Sequence, residues 1–206
     1  MEAFKEGLDF HRATAAKVYE VPFDEVTPEQ RRNAKTVNFS IIYGAGATNL
    51  SRQLGIKRGE AKELIKNYFQ QFQGLKKYMD DTVNFARENG YVTTLVGRKR
   101  ILRDINSRNG LARGFAERMA INTPIQGSAA DMIKLAMIEI HAEMKKRNYQ
   151  SKMIMQVHDE LVFDVHKPEL DDMTTLVVDK MTSALPDLDV PIVVDPGVGQ
   201  NWLEAH

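Results

Sequence analysis

The chain has 206 residues, 43% of them hydrophobic and 27% charged, with a formal net charge of zero and no cysteine. That composition can bury a substantial core in one large domain or two small ones. It excludes a disordered chain, a disulfide framework, a thiolate metal site and a cysteine nucleophile. No apolar run approaches the roughly 18 residues needed to span a bilayer, and the N-terminal Met1 to Glu6 has no signal-peptide character. A soluble intracellular protein is the expectation.

The zero net charge hides an asymmetry. Residues 1–150 hold 25 Lys and Arg against 17 Asp and Glu, whereas residues 151–206 hold 3 against 11. Within the basic part, Arg98, Lys99, Arg100, Arg103, Arg108, Arg113 and Arg118 face only Asp104 and Glu117. Such a cluster suits a polyanionic partner; a solvated basic loop accounts for it equally well.

In chain order, residues 8–20 read as a short Ala-rich helix. A second helix over 28–43 is well signalled: Thr27 as N-cap, Pro28 in the first turn, Gln30 completing a capping box and Gly44 as the stop. Residues 45–51 are small and polar, a turn or short helix. Helices over 58–72 and 74–89 follow, divided near Gly74 and ended by Asn89-Gly90. Residues 91–96 are β-branched and aromatic, hence a strand, and Gly97 turns the chain into a hairpin with Lys99–Arg103. A long helix over 112–146 is interrupted by Pro124, where a kink or break is expected. Its later part, Met132–Ile138, reads as apolar on several sides and buried. Strands over 152–157 and 160–165 flank His158-Asp159, and a helix over 168–185 and a strand over 190–195 complete the chain. The fold class is α+β, predominantly helical, with a helical part (1–90) and an α+β part (91–206).

Three constellations carry chemistry. Arg31, Lys35, Phe39 and Tyr43 step by four, so successive side chains are rotated by about 40° and form one drifting stripe. Val37, Ile41 and Ala34 fall roughly opposite, which separates a docking face from a cation–aromatic face. Cations suit a triphosphate and an aromatic suits a base. By spacing alone, a surface helix with solvated cations fits equally. His158, Asp159 and Glu160 sit at the bend of two hydrophobic strands. A carboxylate there is rigidly held, as a metal ligand for phosphoryl chemistry must be, although Asp is also a common turn residue. Hard Mg²⁺ prefers oxygen, which makes His158 an orienting group rather than a ligand. Arg118, Asn122 and Gln126, again stepping by four, are donors able to reach the minor-groove acceptors that all base pairs share; helix capping around Pro124 is the alternative.

In that order, the motifs Arg-x-x-x-Lys-x-x-x-Phe-x-x-x-Tyr-Gly, Arg-x-x-x-Asn-x-x-x-Gln-Gly and Gln-Val-His-Asp-Glu-Leu closely resemble the polymerase domain of the family A, bacterial DNA polymerase I type. The resemblance runs from about Phe10 to the C-terminal Asn-Trp-Leu-Glu-Ala-His. Single-subunit RNA polymerases share part of the first and third motifs, while Glu160 and the Arg118–Asn122–Gln126 set look like the DNA-polymerase branch.

The resemblance implies a fingers subdomain over residues 1–90 and part of a palm over 91–206. Arg31, Lys35 and His11 would contact the triphosphate, with Lys35 placed to protonate the pyrophosphate leaving group. Phe39 would pack by sugar and base, a choice that disfavours dideoxynucleotides, and Tyr43 would stack at the templating position. Arg118, Asn122 and Gln126 would contact the primer–template minor groove. Asp159 would bind metal, one of two bridging aspartates, with Glu160 accessory and His158 near the primer end. The cofactor would be Mg²⁺, two ions in a complete enzyme and at best weakly held here. The partners would be primer–template DNA, deoxynucleoside triphosphates and the rest of a polymerase, in a cytoplasmic, nucleoid-associated protein.

One family feature is missing from the sequence. Family members carry a motif like Asp-Tyr-Ser-x-Ile-Glu-Leu-Arg shortly before the equivalent of Phe10, with the second metal-binding aspartate and the glutamate that excludes ribonucleotides. The expectation is therefore a fragment, or one piece of a split enzyme, without useful polymerase activity. A bare DNA- or nucleotide-binding module and a fragment of a single-subunit RNA polymerase are the competing readings. The missing strand would pair with the 152–165 hairpin, so an exposed sheet edge and self-association are also expected.

Overall fold

The computed structural model describes residues 8–205; the readings placed on Met1–Glu6 and His206 lie outside them. Two compact units divide within one helix, Met1–Ser128 and Ala129–His206. Among the described residues no helix is long and apolar enough to cross a membrane.

The first unit begins with α1 (Phe10–Tyr19) and α2 (Pro28–Ile42), joined through a 3₁₀ turn at Phe23–Glu25. Both ends of α2 are closed by local chemistry. Gln30 N donates to Thr27 Oγ1 (3.2 Å) and Thr27 N to Gln30 Oε1 (2.9 Å), the expected capping box with Pro28 behind it. At the other end Gly44 takes φ +72°, with Gly44 N on Ile41 O and Ala45 N on Ser40 O, both 2.8 Å. This is a Schellman turn. Ala34, Val37 and Ile41 are buried on the docking face, as their wheel positions predict.

Helices α3 (Ala47–Leu54), α4 (Arg58–Gln71) and α5 (Gln73–Asn89) follow. Val37, Ile41, Leu50 and Tyr68 share one core cluster with residues of all these elements. Burial pushes the Tyr68 phenol up to about 12. The α4–α5 break falls at Phe72 (φ −115°, ψ 56°) rather than at Gly74, which lies inside α5. Phe72 packs its ring 4.7 Å from that of Tyr68, so a core contact, not glycine freedom, sets the corner.

Strands β1 (Tyr91–Thr93) and β2 (Lys99–Ile101) form an antiparallel hairpin, in register Val92 with Arg100. β1 is shorter than expected because Thr94 to Gly97 already form the turn: Gly97 N donates to Thr94 O (2.9 Å) and Gly97 has φ +85°. Helix α6 (Gly110–Lys146) then runs unbroken through Pro124. The proline removes one donor, but Thr123 Oγ1 donates to Met119 O (2.7 Å) and Ser128 Oγ to Pro124 O, so flanking hydroxyls bond to carbonyls around the interruption.

The second unit packs the last turns of α6 against a hairpin, β3 (Lys152–Val157) with β4 (Glu160–Asp164), and α7 (Leu170–Thr182). Its core holds Ala136, Ile140, Met144, Met173 and Leu176. The expected burial of Met132–Ile138 is only half right: Ile133 and Ala136 are buried, whereas Ile138 is 62% exposed. A bulge at Ile154 shifts the pairing from Met153–Phe163 to Met155–Val162. No strand forms over 190–195. Val190, Ile192 and Val194 keep an alternating half-buried pattern, but Pro191 lacks a ladder donor and no partner strand pairs there among the described residues. A short helix α8 (Trp202–Ala205) ends the described chain.

The start of β3 is tied down by Glu169. Its carboxylate accepts from Gln150 N (2.9 Å), Ser151 N (3.0 Å) and Ser151 Oγ (2.6 Å). The Gln150 amide first, then the Ser151 hydroxyl, lower its pKa from 4.5 to about 2. Because the folded value is depressed, this stabilisation is complete above the unfolded value of 4.5 and is lost as pH falls towards 2. Urea midpoints of the wild type and Glu169→Gln should therefore differ at pH 7 and converge between pH 4.5 and 2.

Candidate nucleotide and nucleic-acid interface

Docking α2 by its apolar face turns the stripe outward. Phe39 and Tyr43 are 47% and 45% exposed, and Arg31 and Lys35 are exposed beside them. A cleft of about 680 Å³ runs along this face, lined by Lys35, Phe39, Tyr43, Gly44 and Arg118, together with Arg32 of α2 and Asn49 and Gln53 of α3. The sequence reading did not include Arg32, Asn49 and Gln53. A signal for Arg32 existed, because Arg32, Thr36 and Ser40 form a polar row one residue behind the stripe, and all three line the cleft. Asn49 and Gln53 enter only because the Schellman turn reverses the chain. Ser40 Oγ donates to Gln53 Oε1 at 2.5 Å, tying α3 to α2.

The members of the triphosphate set separate. Lys35 lines the cleft, whereas Arg31 turns to Asp9, Nε to Oδ2 at 2.5 Å. Asp9 does two jobs: its other oxygen accepts from His11 N and Arg12 N (both 3.0 Å) as the N-cap of α1. Hydrogen bonding to Arg31, with the two backbone donors, holds the Asp9 carboxyl below the usual range. The Arg31–Asp9 pair is half exposed and adds at most about 1 kcal/mol to stability. His11 stands with its ring 5.7 Å from that of Phe39 and its Nδ1 3.1 Å from Asn38 Nδ2. Burial pushes the imidazole pKa down; Asp9 opposes this, and Arg31 and Lys35 reinforce it.

The minor-groove trio shares a helix but not a cleft. Arg118 crosses Gly44 and stacks its guanidinium 5.9 Å from the Phe115 ring. Gln126 lies in a second cleft of about 450 Å³ with Thr94, Arg98, Lys99, Arg100, Thr123 and Gly127. Asn122 lines neither, and its Oδ1 is buried without a partner. Gly127 permits the hairpin's approach, since a Cβ there would sit 2.6 Å from Thr94 Cγ2. Leu95 N donates to Ser128 Oγ (2.8 Å) and Arg98 Nη2 to Gly127 O (3.2 Å) at the same junction.

Much of the basic cluster has structural employment. Arg98 docks the hairpin, Lys99 lies 4.5 Å above the Tyr91 ring, and Arg113 bonds Ser107 O and pairs with Glu117. Arg100, Arg103 and Arg108 are exposed.

In the second unit, His158 and Asp159 are the two central residues of the β3–β4 turn, closed by the Val157–Glu160 pair. His158 has φ +53°, a left-handed conformation costing a non-glycine residue roughly 1–2 kcal/mol. A tight turn that holds a histidine under such strain fixes the direction of Asp159. Asp159 is exposed and Glu160 half-buried. Their oxygens have the chemistry of a hard-cation site, but among the described residues no group of three or more His, Asp or Glu side chains is assembled for a metal.

Compared with solved structures, the fold matches the POL domain of Pol1 from M. smegmatis, determined with DNA primer-template and dNTP, at a TM-score of 0.91 and 44% identity over 99% of this chain and 36% of that one. The fold is therefore that of part of a DNA polymerase domain. The sequence profile of DNA polymerase family A matches residues 1–204. DNA polymerase I of Streptococcus pneumoniae serotype 4 is 51% identical over 206 residues, and that of Bacillus subtilis strain 168 is 48% identical over 205. The chain belongs to DNA polymerase family A. It spans 23% of the length of each of these two relatives.

Gly44 joins the two halves of the main cleft, and a Cβ added there would lie 2.7 Å from Arg118 Cγ on a backbone at φ +72°. Gly44→Ala should cost about 1–2 kcal/mol from the backbone alone and displace Arg118. A lowered denaturation midpoint, with an altered arginine side-chain NMR signal, checks this.

Proposed function

We propose that these residues form the nucleotide-gripping and primer–template-facing part of a DNA-directed DNA polymerase, with residues 1–90 as fingers and 91–206 as part of the palm. The observation that carries it is the convergence of Lys35, Phe39, Tyr43 and Arg118 on one cleft beside an outward helix face. In this reading Lys35 holds the triphosphate and gives a proton to the departing pyrophosphate, and Arg31 and His11 add phosphate contacts. Phe39 packs against sugar and base, and Tyr43 stacks at the templating position. Arg118, Asn122 and Gln126 donate to the minor groove, while Arg100 and Arg103 contact backbone phosphates.

Asp159 is the residue that would hold a divalent cation, with Glu160 beside it and His158 orienting the primer end. Two Mg²⁺ ions, if held there, would supply Lewis-acid stabilisation of the charge that develops during phosphoryl transfer. Two adjacent carboxylates cannot bracket both ions, and no larger ligand group is assembled among the described residues. That observation also favours a second reading, a bare nucleotide- and DNA-binding module without catalytic activity. In primer extension with Mg²⁺, the 206-residue chain should bind primer–template without extending it, and adding the complementary polymerase segment should restore synthesis. Tight DNA binding with no rescue supports the bare module. Lys35→Ala should weaken deoxynucleoside triphosphate binding roughly tenfold or more.

The β3–β4 sheet has two strands, and Ile154 and Met155 on β3 are 60% and 39% exposed. A further strand of the polymerase is the natural occupant of that edge, and without it the chain should self-associate. Light scattering at high concentration tests this; a monodisperse monomer would count against it.

A further inference from the structure

We infer that Asn38 is a positioning residue that holds His11 as the neutral tautomer protonated on Nε2, so that the ring offers an N–H to a phosphate oxygen of the nucleotide. The phosphate half of this statement rests on the nucleotide-gripping reading above. The tautomer half rests on hydrogen-bond accounting alone.

Asn38 is 1% exposed, on the face of α2 that docks against α1. Its Nδ2 meets two atoms, Thr14 Oγ1 and His11 Nδ1, each at 3.1 Å. Thr14 has already used its only hydroxyl hydrogen on Phe10 O at 2.9 Å. Its oxygen can therefore only accept, which fixes the Asn38 amide with nitrogen inward. The second hydrogen of that nitrogen then points at His11 Nδ1, which must present a lone pair. The imidazole proton is left on Nε2, on the far edge of a ring that lies tilted against Phe39, a residue of the cleft wall.

The same network disfavours the imidazolium. A proton on Nδ1 would face the Asn38 amino group, donor against donor. Turning the amide over would bring Oδ1, now buried without a partner, to the ring, but would set it against the Thr14 oxygen lone pairs. The charged groups around the ring are Asp9 at the cap of α1, which favours the cation, and Arg31 and Lys35 on α2, which oppose it. Burial lowers the His11 pKa further. A neutral donor keeps its hydrogen bond without titrating as pH changes about neutrality.

The test is long-range ¹H–¹⁵N NMR of the histidine rings of the 206-residue chain from about pH 5 to 8, alongside equilibrium binding of dATP with Mg²⁺. The wild type should show His11 Nδ1 unprotonated and a midpoint below the ordinary histidine value of about 6.5. In Asn38→Asp, the carboxylate accepts from Nδ1, so the proton should move there and the midpoint should rise. A protonated Nδ1 in the wild type at pH 7.5, or an unchanged spectrum in Asn38→Asp, overturns the inference. Above that raised midpoint, where the ring is neutral with its proton on Nδ1, Asn38→Asp should also weaken dATP binding about tenfold, but have little further effect in a His11→Ala background. Equal losses in both backgrounds mean simple charge repulsion and overturn it too. Should Asn38→Asp fail to fold, Thr14→Val decides: freeing the amide should mix the tautomers, and no change counts against the assignment. A wild type with the expected tautomer but no dATP binding supports the Asn38–His11 assignment and sinks the nucleotide reading instead.

Discussion

The direction of α2 is the constraint on which the candidate site depends. Ala34, Val37 and Ile41 are almost fully buried, and burial of an aliphatic side chain the size of Val37 or Ile41 stabilises by about 1.5–3 kcal/mol. Helical geometry gives no freedom after that: residues on the opposite arc must face out. Exposure of Phe39 and Tyr43, costly for isolated aromatics, is thus a consequence of docking rather than a packing fault. The capping box at Thr27 and the Schellman turn at Gly44 stop the helix at both ends of the stripe, so neither end can fray and blur the face.

Polar groups within this docking show how tightly chemistry and packing are coupled. Asp9 caps α1 with one oxygen and restrains Arg31 with the other. Asn38 is buried and spends both amino hydrogens between Thr14 and His11. Gly44 and Gly127 each admit a neighbour where a Cβ would collide, Arg118 in one case and Thr94 in the other. The two clefts along α6 therefore exist because two glycines let other elements approach it.

Local signals were legible wherever one helix or one hairpin carried them. The stripe and its opposite face, the capping box and the His158-Asp159 turn need only period, cap and turn rules, and each appears in the structure. Signals that depend on a partner were not. Residues 190–195 have strand composition but no ladder, since pairing requires a second edge that composition does not supply. Pro124 predicts a kink or break, yet side-chain hydroxyls at Thr123 and Ser128 bond the nearby carbonyls and the helix continues. Ile138 fits an apolar run but is exposed, because an apolar run does not specify how many of its sides meet other elements.

The sequence by itself determined the family, through the resemblance of its three motifs, and backbone geometry turned a spacing of four residues into a stripe along one helix. It also fixed which face of α2 is apolar. The tertiary structure alone decided how those residues are employed. Arg31 is drawn to Asp9 while Lys35 stays in the cleft, and Arg118 and Gln126 part into separate clefts. His11 is bound to a buried asparagine 27 residues away. Long polar side chains reach several ångströms and choose among partners brought near by folding, so their roles follow from the packed neighbours rather than from position in the chain.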